Sequence, residues 1–512
     1  MAPAVNAAQD QQSVAGEIAT AVKHSFIYGI GGFLVKGISF FLLPLYTHYL
    51  NPKDYGIFEV LDLSTSLLGM FLNFGITAAL LRFYGIANTE AEKRSIVSSL
   101  FWFTVGTSAV VLLIGGASVR QTTNLLLGAG TPASYLLLSL LAFLMAYIAN
   151  VPYTSLRAKE ASVTIVTIDM LVTIGLLAFN IYFIAGVRLS ILGLFLSKII
   201  VNTVAFIMIL KWMSRELFGA PDWKLLRKMV GFGAPLVFSN LTMFTLNFSD
   251  RFFLQHLRSL EVVGIYAVGY KFGFMLNFLL IQPFNMMWQS RMYIVHRMAD
   301  HQKVFSRVFV LYSAVLIFAS LGMAVLGPEL MRVMVDSRYR AGGAVIPLVS
   351  LSYVFLGMGY YLQLGMFLTL RTGLIGKVSI CAAILNLTAN YFLIKHFGML
   401  GAAWATVIGF LAIAVGSYCY SERVYPLALP AGRVIRALAM AGAVYLLSRV
   451  LPDTPLAVTL LWKCALLTVF PFLLWLSGCF SRDEIATLHS LRATAMAKTL
   501  RLLKPAWMRI SA

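Results

Sequence analysis

Fourteen runs of mainly apolar residues recur along this chain, each close to the ~20 residues an α-helix needs to cross hydrocarbon. With 60% of its 512 residues hydrophobic and only 12% charged, the chain lies outside the range of soluble globular domains. It is predicted to be an all-α polytopic membrane protein of about fourteen transmembrane helices. The expected spans include 25–49, 56–81, 230–254, 375–395 and 400–420. The expected divisions are a cytoplasmic tail over 1–24, a first lobe over 25–213, a cytoplasmic linker over 214–229, a second lobe over 230–421, two further spans over 430–479 and a basic tail over 480–512.

The second half echoes the first. Tyr55-Gly56-Ile57 finds a counterpart in Val263-Gly264-Ile265-Tyr266, Leu156-Arg157 in Leu370-Arg371, and Asn180-Ile181-Tyr182-Phe183 in Asn390-Tyr391-Phe392. The preserved order of these matches predicts two pseudo-symmetric six-helix lobes running in the same direction, with a substrate path between them. Several spans are softened: Gly29, Gly31, Gly32 and Gly37 crowd the first, and Gln282-Pro283 interrupts the eighth. Such residues allow close helix approach or a bend.

The net charge of +20 is read as topology rather than nucleic-acid binding. Lys93, Arg94, Arg157, Lys159, Lys211, Arg215, Lys224, Arg227 and Lys228 fall in loops on the side that an even number of spans assigns to both termini, which the positive-inside rule makes cytoplasmic. The tail from Arg492 to Arg509, with Trp507, suits anionic lipid. The first residues are polar and Ala-rich, without the pattern of a removable signal peptide. Cys381, Cys419, Cys464 and Cys479 are scattered singly, so they form no disulfide framework or zinc spacing and are expected to be packing residues.

No enzyme signature is present: there is no H-E-x-x-H, no G-x-S-x-G at a strand-to-helix turn and no G-x-x-x-x-G-K-[ST]. The chain is therefore expected to be no enzyme and to need no cofactor. Its energy would come from an ion or substrate gradient, with H⁺ or Na⁺ as the coupling ion.

Charges inside the membrane carry what functional signal there is, because each is expensive there. Lys36 lies in the first span, Lys198 with Asn202 in the sixth, and Lys271 in the eighth; Arg82 and Arg291 fall near corresponding ends of spans two and eight. Together these five could form a cationic cavity that attracts an anion. Glu59 and Asp62 share a face of the second span with Ser66 and Asn73, Asp169 stands in the fifth, and Asp250 is followed by Arg251 in the seventh. These carboxylates could bind a coupling ion, or pair with the lysines and merely fix helix packing. Lys463 is expected to snorkel to the outer interface. Tyr270, Asn277, Tyr360, Asn386 and Asn390 are candidate glycan contacts, since aromatic faces meet sugar C–H groups and amides meet hydroxyls. Tyrosines also form interfacial belts, so the bland reading stands beside that one.

The stretch Leu43-Pro44-Leu45-Tyr46-Thr47, with Leu50-Asn51-Pro52 and Tyr55-Gly56, resembles the polysaccharide flippases of Wzx type, which belong to the multidrug/oligosaccharidyl-lipid/polysaccharide exporter (MOP) superfamily. Arg82-Phe83-Tyr84, Leu156-Arg157-Ala158 and Asp250-Arg251-Phe252-Phe253-Leu254 carry the same likeness, which extends over essentially the whole chain. The resemblance implies an alternating-access transporter of the bacterial cytoplasmic membrane. Its cargo would be undecaprenyl-pyrophosphate-linked oligosaccharide repeat units for O-antigen or exopolysaccharide, its cavity would be cationic, and a polysaccharide polymerase and a chain-length regulator would be candidate partners. The alternatives are an ion-coupled drug/cation antiporter or lipid II flippase of the same superfamily, and a polytopic glycosyltransferase or polymerase.

Overall fold

The structure is a computed structural model that describes residues 40, 42–73, 75–450 and 455–479. The described residues are helical without a strand, and eleven helical stretches among them are long and apolar enough to cross a membrane. Of the expected first span, the helix α1 (Leu43–Tyr49) is described. Lys36, the glycines of that span, the tail over 1–24 and the tail over 480–512 lie outside the described residues. The described residues divide into two compact units: unit 1 is drawn from Met1–Val268, Arg332–Gly342 and Asn386–Ala405, and unit 2 from Gly269–Met331, Gly343–Leu385 and Thr406–Ala512.

In unit 1, α2 (Pro52–Asn73) starts where the Asn51 side chain accepts the Asp54 amide at 2.7 Å. The span expected over 56–81 is in fact two helices, α2 and α3 (Ile76–Ile86), because Gly75 adopts φ +67° between them. A Cβ at Gly75 would stand 2.5 Å from Gly233, so this break is also a close approach of two backbones. The helix α4 (Glu90–Ala117) opens on a capping box: Thr89 Oγ1 accepts the Glu92 amide, and the Glu92 carboxylate accepts the Thr89 amide.

After α5 (Val119–Leu127), α6 (Ala133–Ala158), α7 (Ser162–Asn180), a π-helical turn (Ile181–Gly186) and α8 (Ser190–Leu217), Asp222 caps α9 (Trp223–Leu257) by accepting the amides of Lys224 and Leu225. The expected linker over 214–229 is thus largely helical; only the few residues between Leu217 and Trp223 lie outside the helices. Ile76, Leu80, Val97, Leu100, Ile165, Met213, Leu217 and Met229 form one buried core around which these helices pack.

The turn between α1 and α2 is clamped from far along the chain. Tyr339 Oη donates to Leu50 O at 3.1 Å, and Arg338 Nη2 donates to the carbonyls of Thr47 and His48 at 3.2 and 3.0 Å. Asp336 accepts from Arg338 Nε at 2.8 Å, and this bond holds its carboxyl below the usual carboxylate range.

In unit 2, α10 (Leu260–Leu276), which begins in unit 1, passes through a π-helical turn (Asn277–Ile281) into α11 (Gln282–His296), with Pro283 directly after the π-helical turn, where the widened helix accommodates its ring and missing N–H. There follow α12 (His301–Met334), a 3-10 turn (Ser337–Val345) shared with unit 1, α13 (Ile346–Leu362) and the short α14 (Leu364–Leu368). The spans expected over 375–395 and 400–420 are two helices that meet at Gly398, whose φ of 57° and ψ of −130° break the helical stretch α15 (Gly373–Val424); its middle, Asn386–Ala405, belongs to unit 1. The last two spans are α16 (Ala431–Val450) and α17 (Leu456–Leu476).

Two expectations are corrected here. Lys463 on α17 does not snorkel outward: its Nζ donates to Glu329 Oε1 on α12 at 2.6 Å, and the two side chains are 13% and 5% exposed. Burial made a partner cheaper than a path to water. Of the cysteines only Cys479 is buried, while Cys381, Cys419 and Cys464 lie on exposed helix faces.

Candidate functional site

Unit 1 encloses a cavity of about 710 Å³ whose wall is assembled from five helices. Helical spacing places Ser66, Gly69, Met70 and Asn73 along one face of α2, and Phe143, Tyr147, Asn150 and Tyr153 along one face of α6. Asp169 and Val172 come from α7, Asn202 and Ala205 from α8, and Asn240, Phe244 and Asn247 from α9.

The lining is rich in amides (Asn73, Asn150, Asn202, Asn240 and Asn247) and holds one charged residue, Asp169. Tyr153 Oη lies 2.8 Å from both carboxylate oxygens of Asp169, so its proton is shared by them, and the Arg157 guanidinium stands 5.1 Å from the Tyr153 ring. Asn202 donates to Ala142 O at 3.3 Å, Asn247 to Met243 O at 2.7 Å, and Asn150 accepts from Thr154 at 3.2 Å. For Asn150 and Asn202 these bonds occupy part of the amide and leave donor and acceptor capacity for a ligand. Asn73 Oδ1 is buried with no protein partner. Chemically, the chamber suits a hydroxyl-rich ligand, with a single anionic point that a proton or cation could occupy.

Of the residues expected to carry function, Asp169 lines this cavity. Lys198 does not. Its ammonium is ion-paired with Asp62 and stands 4.7 Å from the centroid of the Phe58 ring, the packing alternative weighed for such lysines. Glu59, half-buried on α2, is hydrogen-bonded with the Tyr55 side chain. Arg82 is exposed near the end of α3, its guanidinium 4.3 Å from the centroid of Phe232. Asp250 is buried and satisfied by Arg251 Nη1 at 2.7 Å and by the Tyr266 hydroxyl.

Asn386 and Asn390 are buried and bonded to each other at 3.1 Å and to Ser249, so they hold helices together. In unit 2, Tyr270 is buried with its hydroxyl 2.7 Å from that of Tyr353, Lys271 and Asn277 are half-buried, Arg291 is exposed on α11, and Tyr360 lines a separate cavity. Among the described residues, no Lys or Arg lines the cavity of unit 1, and Lys36 lies outside them.

The residues that sequence reasoning missed are Asn150, Tyr153, Asn240 and Asn247. The signal was there for the last two: two amides seven residues apart, hence on one face, inside an apolar run.

A family model described as polysaccharide biosynthesis protein matches residues 21–288. No curated protein sequence matches the chain. Among solved structures, lipid II flippase MurJ in an inward closed conformation aligns with a TM-score of 0.69 at 12% identity, covering 88% of this chain and 99% of that one. An inward-facing multidrug resistance MATE family transporter of the MOP superfamily aligns with a TM-score of 0.60 at 14% identity, over 76% of this chain and 95% of that one. The Vibrio cholerae MATE transporter VcmN in its bent form gives 0.54 at 14% identity, over 84% and 99%. At these identities the likeness is one of fold.

Proposed function

We propose that this chain, which belongs to the polysaccharide biosynthesis protein family, is a flippase of the MOP superfamily whose cargo is an undecaprenyl-pyrophosphate-linked oligosaccharide repeat unit. It would move this unit across the bacterial cytoplasmic membrane by alternating access, for O-antigen or exopolysaccharide assembly, with both termini in the cytoplasm. The observation that carries this reading is the amide-lined cavity of unit 1 in a chain of that family. Five carboxamides and the Tyr147 and Tyr153 rings offer sugar hydroxyls and C–H faces what they need. Asp169, with Tyr153 holding its carboxylate, is the group we assign to a coupling H⁺ or Na⁺. Such an ion can drive the cycle only if the two states bind it unequally. A polysaccharide polymerase and a chain-length regulator would act next on the delivered units.

Asp169 as the one charged lining residue also favours a second reading, export of cationic compounds in exchange for an ion. A deletion strain separates the two. Loss of surface polysaccharide with repeat units trapped on the cytoplasmic face, restored by wild type, is the expected outcome for a flippase. Asp169→Asn should restore less than about a tenth of that export at equal protein amount. Unchanged glycan with heightened sensitivity to cationic drugs would replace the flippase reading with the second.

A further inference from the structure

Unit 2 contains a second cavity, of about 420 Å³, chemically unlike the first in that none of its lining residues carries a charge. Gln282, Asn285 and Gln289 stand at i, i+3 and i+7 on α11 and so present three carboxamides on one face. Gln282 and Gln289 are exposed although they lie in a stretch, Leu260–His296, apolar enough to span a membrane. Gln363, Tyr360 and Phe367 close the opposite wall.

The second observation is Trp288. It lines this cavity, is 6% exposed, and its Nε1 is buried with no hydrogen-bond partner. Two rings pack against the indole: Tyr361 stacks at 5.1 Å between ring centroids and 22° between planes, and Phe284 at 5.8 Å and 16°. Tyr361 is fixed in turn by donating to Phe305 O at 2.7 Å. A rigid donor left unsatisfied costs free energy in the unliganded state, and a ligand acceptor recovers it.

We propose that this cavity is a binding subsite for an uncharged saccharide ring. This rests on the reading of the protein as a carrier of glycans and adds to it a place that selects neutral sugars. The size lies within the range of small-molecule sites. Sugar hydroxyls both donate and accept, as carboxamides do, and the Trp288 N–H needs an acceptor oxygen. The Tyr360 and Phe367 rings offer apolar faces to C–H groups. A cationic drug would find no carboxylate here and an acidic sugar no basic group.

The test is calorimetric titration of the full-length protein in lipid nanodiscs with maltose, lactose and chitobiose, and with digalacturonate as an acidic comparison. Saturable binding of at least one neutral disaccharide, absent for digalacturonate and weakened about tenfold in both Trp288→Phe and Gln289→Ala, is expected; such a loss is the size of one hydrogen bond. Gln289 is exposed, so its truncation leaves folding intact even where Trp288→Phe does not. Binding of no neutral sugar, equal binding by Gln289→Ala, or binding of tetraphenylphosphonium that depends on Gln289 would each overturn the proposal. Export is measured in parallel in the complemented deletion strain. Wild type failing to restore surface glycan removes the flippase reading, while the titrations still decide the subsite.

Discussion

Breaking the Lys198–Asp62 pair leaves one charge in a membrane-spanning segment without its counter-ion, and the cost falls on whichever partner remains. Lys198→Ala and Asp62→Asn should each lower the melting temperature of the detergent-purified protein. The double variant should lose less than the sum, with a coupling of about 1 kcal/mol, because both side chains are still partly exposed. Strict additivity would show the pair to be incidental. The charges themselves were plain in the sequence, since Lys and Asp stand out against an apolar run. Their pairing was not, because the two residues come from helices far apart in the chain. The same holds for Asp169: the acid was visible, but nothing in the spacing linked it to Tyr153 on α6.

At the level of elements, two glycines set the crossing of α2 and α10. A Cβ on Gly56 would stand 1.8 Å from Leu260 O, and one on Gly264 would stand 2.0 Å from Pro52 O, so the helices touch backbone to backbone. Gly56→Ala should destabilise by about 1–3 kcal/mol or fail to accumulate, whereas Gly85→Ala, with nothing within 4 Å, should be neutral or slightly stabilising. Fluorescence-detected melting of the two variants beside wild type checks this. The sequence placed Tyr55-Gly56 and Val263-Gly264 as matching repeat positions, and here they meet; what it lacked was the break at Gly75, where a bend and ordinary helix packing call for the same residue type.

The clamp on the α1–α2 turn carries a pH signature. Asp336 titrates below its ordinary value when folded, so its contribution is present above the unfolded pKa of about 3.9 and lost as pH falls through the folded one. Wild type should melt higher than Asp336→Asn at pH 7, and the gap should close below about pH 4. A gap that widens instead of narrowing as pH falls would exclude the Arg338 contact as its source.

Taken whole, the chain's class was legible in its many long apolar runs, and the placement of Lys and Arg set the expectation that both termini are cytoplasmic. Reporter fusions test that orientation: a fluorescent protein that matures only in the cytoplasm should glow when joined after Ala512, and alkaline phosphatase there should be inactive. The opposite pattern would invert the topology and with it the direction of export. The cavities were the least legible feature. Each is a surface that no single segment contains, and the unit 1 wall draws one or a few residues from each of five helices.

The ion pair between Lys463 and Glu329 has a mechanical meaning at this scale. Most of the α17 surface is not covered by protein, so a bilayer of different thickness would press on it directly. With its ammonium pinned to α12, that helix cannot slide along the membrane normal. Tilting about Lys463 keeps the pair intact where sliding would stretch it, so this residue acts as the pivot of α17.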